Sequence, residues 1–196
     1  MKLLIRVIIA SLILGITSWV IIQLPSVQDR LLVVAFSALG SASNNLPKED
    51  ALSAAVCGSR SPIPSPGRAE TCILISAGED LFVVDIGDGS NDNLRSWSIN
   101  FRNIEAVLIT HLHSDHIADL PSLHQNAWVI GERSSKLKVF GPEGIDQFTQ
   151  GIEMAYAHDY VFRNEHHGNA IAPLEFAGFD TSVIAVSYTH LTLPTI

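Results

Sequence analysis

Residues 104–116 read IEAVLITHLHSDH. An apolar run ends abruptly in a cluster of three histidines and an aspartate. A short continuous apolar stretch closed by polar residues is the pattern of a buried strand, so the cluster sits where a strand leaves the sheet. In an extended loop His111 and His113 project to the same side, while Asp115 and His116 come round on the following turn. Imidazole and carboxylate are donors that suit zinc, iron or manganese. Two ions about 3.5–4 Å apart can activate a water and polarise the bond to be cut. The alternative, a set of capping and solvent-facing polar groups, does not account for four such residues at this spacing.

Outward from the loop, short strands are expected at LSAAVC, TCILISA, LFVVDI, RNIEAVLIT and KLKVFG, and again at FDTSVIAV. The turn Gly78–Asp80 makes a hairpin of TCILISA and LFVVDI. HIADLPSLHQNAWVIG reads as one helix, and a second is expected from Ile145 to Tyr156. Strands alternating with helices on an apolar sheet give an α/β or layered α+β domain.

THLHSDHIADL resembles the His-x-His-x-Asp-His signature of the metallo-β-lactamase superfamily. VVDIGDGS is similar to that family's Asp-x-Gly strand end, and VCGSRSPIPSPGRAETC and KVFGPEGI resemble loops of its ribonuclease Z and arylsulfatase-like branch. The resemblance implies an α+β fold, the αββα metallo-β-lactamase sandwich, with its N-terminal half in residues 51–185. It implies that His111 and His113 hold one metal, that Asp115 and His116 hold a second, and that Asp85 buttresses the loop. Two Zn2+ per intact domain are implied, with Fe or Mn as alternatives. The implied reaction is hydrolysis of a phosphodiester, sulfate ester or carboxylic ester by a metal-bound hydroxide that Asp115 orients. Two other readings stand beside it: a non-catalytic remnant or binding module, and a lactam or lactone hydrolase on the same fold.

The family pattern requires further ligands downstream. His166 and His167, in NEHHGNA, are read as substrate-side or structural residues; His124 is read as surface or packing. VSYTHLTLPT (Val186–Thr195) resembles one reading frame of a transposase-end adapter used in sequencing libraries. Residues 186–196 are therefore expected to be non-native, His190 is expected to be an artefact, and the fragment as given is expected to be inactive.

At the amino terminus, Lys2 and Arg6 precede an uncharged stretch, and Val7 to Ile22 is almost wholly apolar. About 20 such residues span a bilayer as a helix. An uncleaved anchor over residues 1–24 is favoured over a cleaved signal, which would make the protein secreted, with membrane contact through residues 7–24. The basic start keeps its own end cytoplasmic and places the rest outside, on the periplasmic side of an inner membrane. Residues 25–50 read as a stalk containing a short amphipathic helix.

The formal charge is -8 with a pI near 5.4, and no basic run occurs. Nucleic acid is thus not an expected partner; a small-molecule ester is. Cys57 and Cys72 are too few for a disulfide scaffold or a thiolate zinc site. Pairing across neighbouring strands and two buried thiols are both compatible with the sequence.

Overall fold

The computed structural model describes residues 2–40 and 51–185. The stretches 41–50 and 186–196, including the expected adapter-like tail and His190, lie outside the described residues.

Among the described residues, six strands form one mixed sheet in sequence order: β1 (Leu52–Gly58), β2 (Cys72–Ala77), β3 (Asp80–Val84), β4 (Ile104–Leu108), β5 (Leu137–Gly141) and β6 (Phe179–Val183). The expected hairpin is present, and β1–β2–β3 run antiparallel; β3 through β6 are parallel. Parallel neighbours need crossovers, and right-handed crossovers taken in one direction place every helix on the same face. The connections are α3 (Ser90–Ser96), then α4 (Ser114–Ile117) with α5 (Leu120–Gln125), and finally α6 (Ile145–His167).

Burial follows the period of two along each strand. Leu74, Val83, Val107 and Val139 stand side by side in register and are buried beneath the helices, with Leu94, Leu120, Leu123, Ile145 and Ile152. The opposite face carries Val56, Ile73, Ile75, Phe82, Val84, Leu108 and Phe140, all exposed or half-buried. One helix layer on one face of a mixed sheet matches one half of the expected αββα sandwich.

Two helices differ from expectation. The stretch expected as one helix from His116 is divided into α4, α5 and a π-helical turn at Asn126–Ile130. The break falls at Ala118–Asp119, and Pro121, which has no N–H to donate back into a preceding turn, sits in the first turn of the new helix, where none is needed. The second helix runs on past Tyr156 to His167, because nothing stops it before Gly168, whose φ of 76° closes the last turn.

Cys57 and Cys72 are joined in a disulfide with their Cα atoms 5.0 Å apart. The bulge between Val56 and Gly58 shifts the register so that Cys57 reaches Cys72 on the adjoining strand.

At the amino terminus are α1 (Lys2–Ile22) and α2 (Pro25–Gly40). By length and composition, Ile5–Ile22 is long and apolar enough to cross a membrane, with a mean hydropathy of 2.3. The helix expected within the stalk is α2, and its Leu32 packs against a second apolar cluster of Trp128, Val129, Tyr160, Ile171, Ala172 and Ala177.

Candidate metal centre

The site is built at the carboxyl ends of β3 and β4. Asp85 follows β3 directly and adopts a left-handed backbone, φ 57°. Aspartate tolerates this region better than most side chains. The turn brings its carboxylate, only 3% exposed, under the loop that leaves β4. Its own N–H donates to the Leu108 carbonyl, which ties the two strand ends together.

Three donors converge on that carboxylate. The Thr110 N–H reaches Oδ1 at 2.8 Å, and the Thr110 hydroxyl lies 2.8 Å from Oδ2. His116 Nδ1 is also 2.8 Å from Oδ2. A carboxylate can only accept, so Nδ1 of His116 carries the proton, and in the neutral ring this leaves Nε2 with its lone pair. The same logic extends one step further. The Thr110 hydroxyl donates to Asp85, so its oxygen accepts from His111 Nδ1, 3.1 Å away. His111 therefore also presents a bare Nε2.

The free nitrogens gather in one place. His111 Nε2 is 3.1 Å from His113 Nδ1, and the His111 and His116 rings lie with centroids 3.9 Å apart. Asp115 is buried at the start of α4, its Oδ2 3.5 Å from His116 Nε2. Ligand atoms on a tetrahedral zinc with bonds of about 2.0–2.1 Å lie roughly 3.3 Å from one another. The donor types, two donor pairs at ligand spacing and the hydrogen-bonded Nδ1 atoms of His111 and His116 suit metal ligands, although among the described residues no three of these groups already close round a single ion. An imidazole whose second nitrogen is held by a carboxylate is the usual outer support of such a ligand.

Gly87 shows how tightly the loop is held. A Cβ there would lie 2.1 Å from the Asp115 carbonyl oxygen and 2.5 Å from the Glu70 Cβ. Around it Ile86 N–H donates to the His116 carbonyl at 2.8 Å, Asp119 N–H donates to the Ile86 carbonyl, and Gly87 N–H donates to the Thr71 carbonyl. The Asp119 carboxylate accepts from Asn91 N–H at 3.0 Å, and burial raises its pKa.

The structure thus brings together His111, His113, Asp115, His116 and Asp85. His166 and His167 are not brought to this group. They occupy the last turn of α6, which begins beside Leu112 at the metal loop and runs 23 residues away from it. His124 is buried against Trp128, Tyr160 and Phe179, a packing residue. Thr110, Gly87 and Asp119 were not singled out from the sequence. The signal for Thr110 was a short hydroxylic side chain directly before the first histidine.

A family model described as metallo-beta-lactamase superfamily matches residues 65–195. The ribonuclease Z of Mycobacterium bovis (strain BCG / Pasteur 1173P2) is 36% identical over 118 residues, covering 59% of this chain and 42% of that protein. The ribonuclease Z of Mycobacterium marinum matches with the same identity and the same coverage. The chain spans about 42% of the length of these curated relatives. Among solved structures, the short form of human tRNase Z superposes with a TM-score of 0.51 at 20% identity, covering 68% of this chain and 45% of that one. A long-form RNase Z from yeast gives 0.51 at 16% identity, covering 72% and 19%. These two likenesses are of fold.

Proposed function

The chain belongs to the metallo-beta-lactamase superfamily, and from that premise we propose that it carries part of the active site of an extracytoplasmic metal-dependent hydrolase of phosphodiesters or related esters. His111 and His113 would hold one ion, Asp115 and His116 a second, zinc being the ion this donor set suits best. When bound, the metal supplies Lewis-acid polarisation of the ester and acidifies water. The protein's own part is positional. Asp85 keeps the protons of His116 and Thr110 on the side away from the ions, and through Thr110 it does the same for His111. Asp115, buried and acceptor-only when ionised, orients the attacking water.

The single observation that carries this reading is the convergence of Thr110 and His116 on one buried Asp85 carboxylate. The choice of substrate compartment has separate support. Lys2 and Arg6 lie in the first turns of α1, a disulfide favours an oxidising compartment, and the acidic chain has no basic run to hold a tRNA backbone. The relatives are named for ribonuclease activity; for this chain a small soluble ester is the proposed substrate. The test is zinc content and turnover of bis-p-nitrophenyl phosphate by the full-length gene product. Bound zinc with turnover supports the proposal, and a metal-free, inert product from zinc-supplied cells contradicts it.

A further inference from the structure

The metal loop and the apolar cluster around Trp128 lie at opposite ends of the sheet. The loop follows the carboxyl end of β4. The Asn126–Ile130 turn precedes the amino end of β5, and the 3-10 turn Leu174–Phe176 precedes the amino end of β6. Five-residue strands separate these ends by about 16 Å. The helix α6 begins at the metal end and must finish at the other, since β6 runs parallel to β5.

The far end is where α2 docks. Leu32 packs on the Trp128 cluster and lies ten residues beyond Ile22, about 15 Å along a helix. Exposed apolar side chains gather at the same end: Val161 (40%) and Phe162 (63%) in the last turns of α6, Leu174 (44%) in the 3-10 turn, and Leu31 and Val34 on α2. The β3–β4 side of this end is instead charged, with Glu79, Arg102, Glu132 and Lys138 lining a cleft.

We propose that the apolar side of this end, formed by α2, the last turns of α6 and the Leu174–Phe176 turn, seats on the bilayer into which α1 inserts. The metal loop then opens away from the lipid and receives water-soluble esters rather than lipid headgroups. This rests on the reading of α1 as a membrane span. Continuity with α1 names the occupant: a helix docked this close to a span holds the adjoining surface within reach of the interface. The apolar side chains match what interfacial seating buries.

The experiment places single fluorophores on the full chain in phosphatidylcholine nanodiscs. With Cys57 and Cys72 oxidised, each introduced cysteine is the only thiol among the described residues. The variants are Ile13→Cys in α1, Phe162→Cys and Leu174→Cys at the docked end, and Glu143→Cys at the metal end. Lipid-borne nitroxide is expected to quench the first three by at least twofold and leave Glu143→Cys unaffected. An unquenched Ile13→Cys would overturn the span itself, and the proposal with it. Quenching at Ile13→Cys with none at Phe162→Cys and Leu174→Cys would leave the span intact and overturn the seating. Quenching at Glu143→Cys would overturn the orientation. Cross-linking between copies through Phe162→Cys, without quenching, would assign the surface to a second chain and overturn the lipid assignment.

Discussion

His116 Nδ1 lies 2.8 Å from Asp85 Oδ2, and this one contact decides which face of the imidazole is offered to a metal. Asp85 precedes the loop by 25 residues at Thr110 and 31 at His116, so the ligand geometry is set by a residue from another strand. Removing the carboxylate should therefore damage metal binding more than folding.

For Asp85→Asn, the amide oxygen can still accept from Thr110, but the NH2 in place of the other oxygen cannot accept from His116 Nδ1. Loss of such outer support commonly costs 10–100-fold in metal affinity. Zinc affinity measured by chelator competition is expected to fall within that range while the circular dichroism spectrum is kept. Unchanged affinity would show that the contact does not govern the site.

Thr110 relays the same control to His111 through its hydroxyl. Thr110→Val keeps the shape and removes the relay, whereas Thr110→Ser keeps it. Chelator competition should show zinc affinity down about tenfold for valine and little changed for serine. Equal losses in both variants would point to packing instead.

At Gly87 any side chain must displace the Asp115 backbone. Gly87→Ala is expected to destabilise the fold by about 1–3 kcal/mol, the usual cost of overpacking, and to weaken zinc binding. Denaturant unfolding and metal titration on one preparation test both. Wild-type zinc affinity in the variant would mean that the loop moves without consequence.

The disulfide closes a loop with a sequence separation of 15. A closed loop of that size is worth about 3 kcal/mol in the unfolded-chain model. Reduction, or the double change Cys57→Ser and Cys72→Ser, should lower the unfolding free energy by about that amount. An unchanged denaturation midpoint under reductant would contradict the stabilising role.

His124 supplies the pH dependence. Its Nε2 accepts the Gly178 N–H at 2.8 Å, and burial pushes its pKa down to about 4. The unfolded chain titrates near 6.5, so between these values the unfolded form binds the extra proton. Stability is full above pH 6.5 and falls as pH drops through 4, by about 3 kcal/mol at roughly 1.4 kcal/mol per pKa unit. Urea midpoints at pH 7, 5.5 and 4 should trace that loss. His124→Gln, whose amide oxygen can still accept from Gly178, should flatten it.

Much of the site could be read in one stretch because both its signals are local. VLI marks a buried strand, and the ligand spacing in HLHSDH follows it directly. Asp85 entered only through the family resemblance, since its partners lie on another strand. The disulfide stayed open because a bulge at Cys57 decides it, and that register depends on how β1 meets β2. HIADLPSLHQNAWVIG read as one helix across Pro121, and the π turn lies where Trp128 packs and its Nε1–H donates to the Pro173 carbonyl, 45 residues on. His166 and His167 were read as substrate-side or structural residues beyond a helix ending at Tyr156, and it is the uninterrupted run to Gly168 that puts them in the last turn of α6, away from the metal loop.

His111, His113, Asp115 and His116 are proposed as the metal ligands. X-ray absorption at the zinc edge of the zinc-loaded full chain tests this most directly. The expected result is a nitrogen and oxygen shell at about 2.0–2.1 Å with imidazole scattering, reduced in His111→Ala and His116→Ala. A sulfur shell at about 2.3 Å, or imidazole scattering unaltered in both variants, would contradict it.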